Sequence, residues 1–259
     1  MMAKPRDYSA LDKFNFERKP VGVKYMITRP TGMKKLGKEL NFCEMLKEAQ
    51  EGSAFYVGPE DWVCVGVEQM ILGMKDPEPL LVSGAFGGDE GLFKGANSCR
   101  AMYDYLPRMP RGSVQYVAFA PVDKLTFDPD LLVMTANINQ AQTLLRSINY
   151  STGQPFASKA TPVVACTWIY IYPVVSGELN YFITGLGMGM QALNIFPPGL
   201  FLISVPFQRI PTMLENLKEM GYNPTPAPGP GGPAHRKRVN KLMADLRKKI
   251  GESTVDSRQ

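Results

Sequence analysis

The stretch from Tyr116 to Ile148 decides the fold. Tyr116-Val-Ala-Phe-Ala-Pro121 is a run of aromatic, β-branched and small apolar residues stopped by proline. Asp128-Pro-Asp130 supplies turn chemistry, and Leu131-Leu-Val-Met-Thr-Ala136 resumes the apolar run. Both runs have strand length and composition. Asn137 then offers an N-cap to a helix through Gln140, Leu144, Leu145 and Ile148, whose apolar positions recur at helical spacing.

Working outward, the alternating segment Lys19-Pro-Val-Gly-Val-Lys-Tyr-Met-Ile-Thr28 predicts another strand, ended by Arg29-Pro30. Asn41 predicts a helix through Cys43, Leu46 and Ala49 with Gly52 as its stop. Ala54 to Val57 is a short strand, and Gly58-Pro-Glu-Asp61 opens a second helix reaching Met74, with Cys64 near its start. The glycines between Leu80 and Lys94 predict a loop before a helix over roughly 96–106. Strands over 179–184 and 200–205 and a helix over 211–220, capped by Gly221, complete the body. Strands and helices interleave irregularly, without a steady βαβ rhythm, so the expected class is α+β, a single mixed domain over residues 11–222. Val117–Leu125 and Phe201–Ile210 echo each other weakly, each a strand closed by Pro, and the echo does not amount to a repeat.

Residues 223–233 form a Pro/Gly-rich linker, and 234–251 a basic amphipathic helix with Val239, Leu242, Met243, Leu246 and Ile250 on one stripe. From Pro224 on, eight basic side chains face three acidic ones. That net of +5 is the formal net charge of the whole 259-residue chain and leaves the rest balanced. The basic face invites nucleic acid or an anionic membrane surface, but the stripe favours docking on the body or on a second copy, as a homodimer, over either.

At 44% apolar and 20% charged residues the chain is expected to fold. Its longest apolar run, from Val163 to Val175, falls short of the roughly 20 residues that span a bilayer. The polar N-terminus lacks a secretory h-region, and the four dispersed cysteines follow no disulfide spacing, so reduced thiols in the cytoplasm are expected. The single histidine, His235, lies in the tail. A Ser-His-Asp or Cys-His centre and histidine-based zinc sites are therefore disfavoured, and acid–base work falls to carboxylates, Lys, Tyr or Cys. Gly185-Leu-Gly187-Met-Gly189 lacks the third glycine and the acidic ribose ligand of a dinucleotide loop, and no P-loop motif is present.

The cysteines carry what chemistry remains. Each alone fits a small buried apolar residue. Cys43 and Cys64, in opening turns of predicted helices, sit where helix N–H groups favour thiolate.

Around these residues, Lys19-Pro-Val-Gly-Val-Lys24, Phe42-Cys-Glu-Met-Leu-Lys-Glu-Ala49, Cys64-Val-Gly66, Ala118-Phe-Ala-Pro121, Asp128-Pro-Asp130, Gln140-Ala141 with Leu144, and Ala165-Cys166 occur in order. Together they resemble the ArCR family, domain of unknown function 169 (DUF169), over Leu11 to Met220. Asn137-Ile138 stands where the family has Asn-Pro, and Cys99 falls outside the family pattern. The resemblance implies anaerobic-type metabolism and cysteines at the positions of Cys43, Cys64 and Cys166. Three such thiols, if convergent, are expected to hold an iron–sulfur cluster or metal with one open position, and Cys99 is a weaker fourth ligand. Lys24, Glu68, Gln69 and Gln140 are the expected polar lining of a cofactor or small-molecule pocket. Each has an alternative as a solvent-facing or clamping residue. Two further alternatives stay open. In one the protein is a non-enzymatic ligand- or partner-binding module with structural cysteines, and in the other a cysteine acts as a nucleophile without metal.

Overall fold

The computed structural model describes residues 6–64, 67–220 and 233–256. The chain divides into a body up to Pro224 and a tail from Thr225.

The body is an α+β structure around one six-stranded antiparallel sheet. Its strands are β1 (Val21–Met26), β2 (Phe55–Val57), β3 (Tyr116–Pro121), β4 (Leu131–Ala136), β5 (Asn180–Ile183) and β6 (Phe201–Pro206), in the order β2-β3-β1-β4-β6-β5. All six residues of β4 are buried. Leu131 and Val133 enter one core with Val21, Val23, Val117, Phe119 and Leu202, while Leu132, Met134 and Ala136 enter a second with Ala120, Ile203 and Val205. A two-residue alternation thus serves two opposite cores, which is why β4 is apolar throughout.

The register is two-fold. Val21 pairs with Val133, Gly22 with Leu132 and Val23 with Leu131, centring the sheet on Gly22 and Leu132. Val21 faces Pro121 as Leu131 faces Pro206, and Phe55 faces Phe119 as Asn180 faces Ser204. The sequence echo is the trace of this symmetry. Pro121 and Pro206 each end a strand and lead into a 3-10 turn, and Val122 N–H donates to Pro20 as Phe207 N–H donates to Asp130.

The helices do not repeat with the sheet. On the first face lie α1 (Phe42–Gln50), α2 (Val67–Ile71), α3 (Pro79–Val82), α4 (Ala85–Asp89) and α5 (Ala96–Tyr105). The second face carries the N-terminal turn Ser9–Phe14, α6 (Ile138–Asn149) and a helix over Ile210–Glu219. Asn41 and Asn137 each close a capping box, with Glu44 and Gln140 respectively.

Two expectations change. The glycines of 80–94 do not make an open loop. Gly84, at φ +81°, brings α4 so close to α5 that a Cβ there would lie 2.1 Å from the Ala96 carbonyl oxygen. The second helix starts later than expected. Pro59–Asp61 closes a 3-10 turn, with the Asp61 carboxylate accepting from Gly58 N–H, and Trp62 is then extended and bridges to Leu40, so the helix does not begin here. The expected Gly221 cap and the linker up to residue 232 lie outside the described residues.

The apolar segment at 163–175 forms a buried π-helical stretch, Thr167–Ile171, running into α7 (Tyr172–Ser176) on the first face. Gly185–Gly189 turns into the five-residue α8 (Met188–Ala192), with Met188 N–H bonded to Pro162. We number the helix over Ile210–Glu219 as α9 and the tail helix over Pro233–Asp256 as α10. The tail's stripe side chains Val239, Leu242, Met243, Leu246 and Ile250 are exposed. Among the described residues no helix is long and apolar enough to cross a membrane.

Candidate functional site

The site begins at the first turn of α1, whose N–H groups lack helical partners. Asn41 Oδ1 accepts from Glu44 N–H at 2.9 Å. Phe42 N–H is taken by Glu68, a carboxylate reaching over from α2. The second Glu68 oxygen accepts from Cys64 N–H at 3.4 Å, so one buried side chain ties α1 to the segment before α2. Glu68 is only 2% exposed. Burial, with a further push from Glu44 and against its two hydrogen bonds, raises its carboxyl to about 7.

Cys43 follows Phe42 and is buried. Tyr170 stacks on the Phe42 ring with centroids 4.1 Å apart. Its hydroxyl donates to the Phe42 carbonyl at 3.3 Å and reaches the Cys43 thiol. Tyr25 in turn donates to the Tyr170 carbonyl at 2.7 Å, fixing the π-helical stretch over β1. Cys166 precedes that stretch and is half-buried. Trp62, tilted against Phe42 at 4.8 Å, leaves a buried indole N–H without a partner.

The three cysteines named from the sequence share one neighbourhood. Burial raises all three thiols, Cys64 to about 12. The next cause for each is Glu68. Cys43 also feels Cys64, and Cys166 feels both Cys43 and Cys64. Cys64 is exposed as a residue, yet the surrounding protein still raises its thiol. Among the described residues none of the charges that act on these thiols is a cation. Among the described residues no three His, Cys, Asp or Glu side chains are arranged to hold a metal ion.

Cys99 stands apart, buried on α5 against Gly87. Tyr103 lies between, within the fields of both Cys99 and Cys64.

The expected polar lining disperses. Lys24 Nζ donates to the Asp128 carbonyl at 2.8 Å and lies 3.8 Å from Asp130. Alternation along β1 turns it away from the face on which Val23 and Tyr25 pack. Gln69 is buried beside Glu68, where its amide holds the Pro59 carbonyl. Gln140 belongs to the second face, closing the Asn137 box and donating to the Phe14 carbonyl at 2.8 Å. The cavity beside it, about 40 Å³ and lined by Glu17, Arg18, Thr135 and Asn137, holds little more than a water. A larger cavity of about 230 Å³, between Asn149, Gln154, Phe156, Tyr172 and Arg209, contains no cysteine, and its arginine pairs with Glu178 at 3.0 Å.

The signature described as uncharacterised ArCR, DUF169, matches residues 11–216. The chain belongs to the DUF169 family. Among curated proteins this DUF169 chain is similar to one named uncharacterized protein MJ0308, from Methanocaldococcus jannaschii, at 26% identity over 128 residues. That match covers 49% of this chain and 54% of the relative, so it spans about half of each. No solved structure matches.

Proposed function

We propose that this DUF169 protein is a cytoplasmic protein of anaerobic-type metabolism that binds an iron–sulfur cluster through Cys43, Cys64 and Cys166. The observation that carries the reading is the donor set. Three thiols from separate parts of the chain lie within the field of one buried carboxyl, and among the described residues no cation is a cause of their shifts. Such a set stays protonated alone and would release its protons to solvent as its sulfurs bound a cationic centre. Cys43, Cys64 and Cys166 would be the thiolates that hold a cluster here. Three cysteine ligands would leave one Lewis-acidic iron for a small-molecule ligand. Free thiols at all four cysteines suit a reducing compartment.

A second reading, a small-molecule or partner-binding module with structural cysteines, draws on the same protonated, largely buried thiols. Anaerobic reconstitution with ferrous iron and sulfide separates the two. The cluster reading expects a broad visible absorption band and bound iron. Iron should fall in each of Cys43→Ser, Cys64→Ser and Cys166→Ser and stay level in Cys99→Ser. A colourless, iron-free protein whose three serine variants fold like the parent supports the structural reading instead.

A further inference from the structure

We propose that the tail helix α10 seats on the surface of an anionic lipid bilayer. Val239, Leu242, Met243, Leu246 and Ile250 are 38%, 57%, 46%, 43% and 65% exposed. At helical spacing they fall within an arc of about 100°, the width of a surface-seeking apolar face. Arg236 and Arg247 flank the arc on one side and Arg238 and Lys249 on the other, with Lys237, Lys241 and Lys248 behind. Residues 236–250 thus carry seven cations against one acid, Asp245.

Charge selects the occupant. A second copy of this helix would set two cation-flanked faces together, with Asp245 as the one acid each could offer, and like charges across a helix seam oppose pairing. The body has no net charge to complement the tail. Nucleic acid would take the cations and leave five apolar side chains in water. A bilayer bearing anionic headgroups takes both, with the apolar arc at the acyl boundary and the flanking Lys and Arg among the phosphates.

Sedimentation of the full-length protein with vesicles tests this, using phosphatidylcholine alone or with about a third of it replaced by phosphatidylserine. The expected result is binding at least about tenfold tighter to the serine-containing vesicles, weakening as salt is raised. Leu246→Asp should lose at least about tenfold of that binding, with thermal unfolding of the body unchanged. In a Leu242→Trp variant, tryptophan emission should shift to the blue on adding the anionic vesicles only. Equal binding by Leu246→Asp overturns the proposal, because cations alone would then suffice. A dimer that Leu246→Asp dissociates, without vesicle binding, overturns it in favour of a second copy. Duplex DNA binding indifferent to Leu246→Asp, without vesicle binding, overturns it in favour of nucleic acid. A monomer that binds neither overturns it in favour of the body.

Discussion

Replacing Glu68 with glutamine should remove a slope in the pH dependence of folding. In the unfolded chain this carboxyl titrates near its ordinary 4.5, whereas in the fold it holds its proton to about 7. Between those values the unfolded chain has released the proton and the folded chain has not. Stability is therefore full below pH 4.5, falls as pH rises through the window, and levels above about 7. The displacement is worth about 3 kcal/mol, and the side chain is buried enough for little of that to be screened.

The chain's single histidine is in the tail, and the salt-bridged Asp7 and Glu60 carboxyls, held low by Lys218 and Lys35, titrate beneath the window. Glu68→Gln keeps one acceptor and sets an amide NH₂ against the other backbone donor, costing about 1 kcal/mol. The variant should thus be slightly less stable than the parent at pH 4.5 and about 2 kcal/mol more stable at pH 8. Urea unfolding of metal-free protein between pH 4.5 and 8 measures both curves, with Trp62 beside the site as reporter. A flat parent profile, or a glutamine variant that keeps the slope, refutes the argument.

Three further outcomes test the surroundings. A Cβ at Gly87 would lie 2.5 Å from Cys99 Sγ, so Gly87→Ala should destabilise the body by about 1–3 kcal/mol. Urea titration should show Cys99→Ala relieving part of that loss in the double variant. Asn137→Ala removes the side-chain acceptor for Asn139 and Gln140 N–H and should cost about 1 kcal/mol by the same assay. With all four thiols raised by burial, maleimide labelling at neutral pH should be slow throughout, with Cys64, the exposed one, modified first by mass spectrometry.

The elements were legible where local chemistry writes them. Apolar runs closed by Pro121 and Pro206 mark β3 and β6, and Asn41 and Asn137 mark helix starts through four-residue capping boxes. Asn137-x-x-Gln140 is itself the signature of a capping amide, a signal that could have moved Gln140 from ligand to clamp. Strand alternation predicts that Lys24 and Tyr25 face opposite ways, but which face carries the thiols depends on contacts far along the chain. The start of α2 was misjudged because Asp61 spends its carboxylate on Gly58, closing a turn that sequence alone reads as a helix opening. Tyr170 and Trp62 carried no motif, and their place at the site comes from packing on Phe42.

The convergence of the cysteines has a cause in the sheet's symmetry. Its two-fold register places β1 and β4 at the centre, one from each half of the chain. The helices break that symmetry on the first face. There the first half lays down α1 and the Cys64 segment, and the second half lays down the π-helical stretch that follows Cys166. The two covers meet where Tyr170 stacks on Phe42 and is held from below by Tyr25 of β1. Cys43 and Cys64 arrive from one half and Cys166 from the other, so their wide spacing in sequence does not argue against a shared site. On this geometry Tyr170 acts as the positioning residue of the seam. Tyr170→Phe keeps the stack but releases the hydroxyl from the Phe42 carbonyl and the Cys43 thiol. It should leave the fold intact, at a cost of about 1 kcal/mol in urea unfolding, and speed labelling of Cys43. Unchanged labelling of Cys43 would mean that the seam is held by ring packing alone.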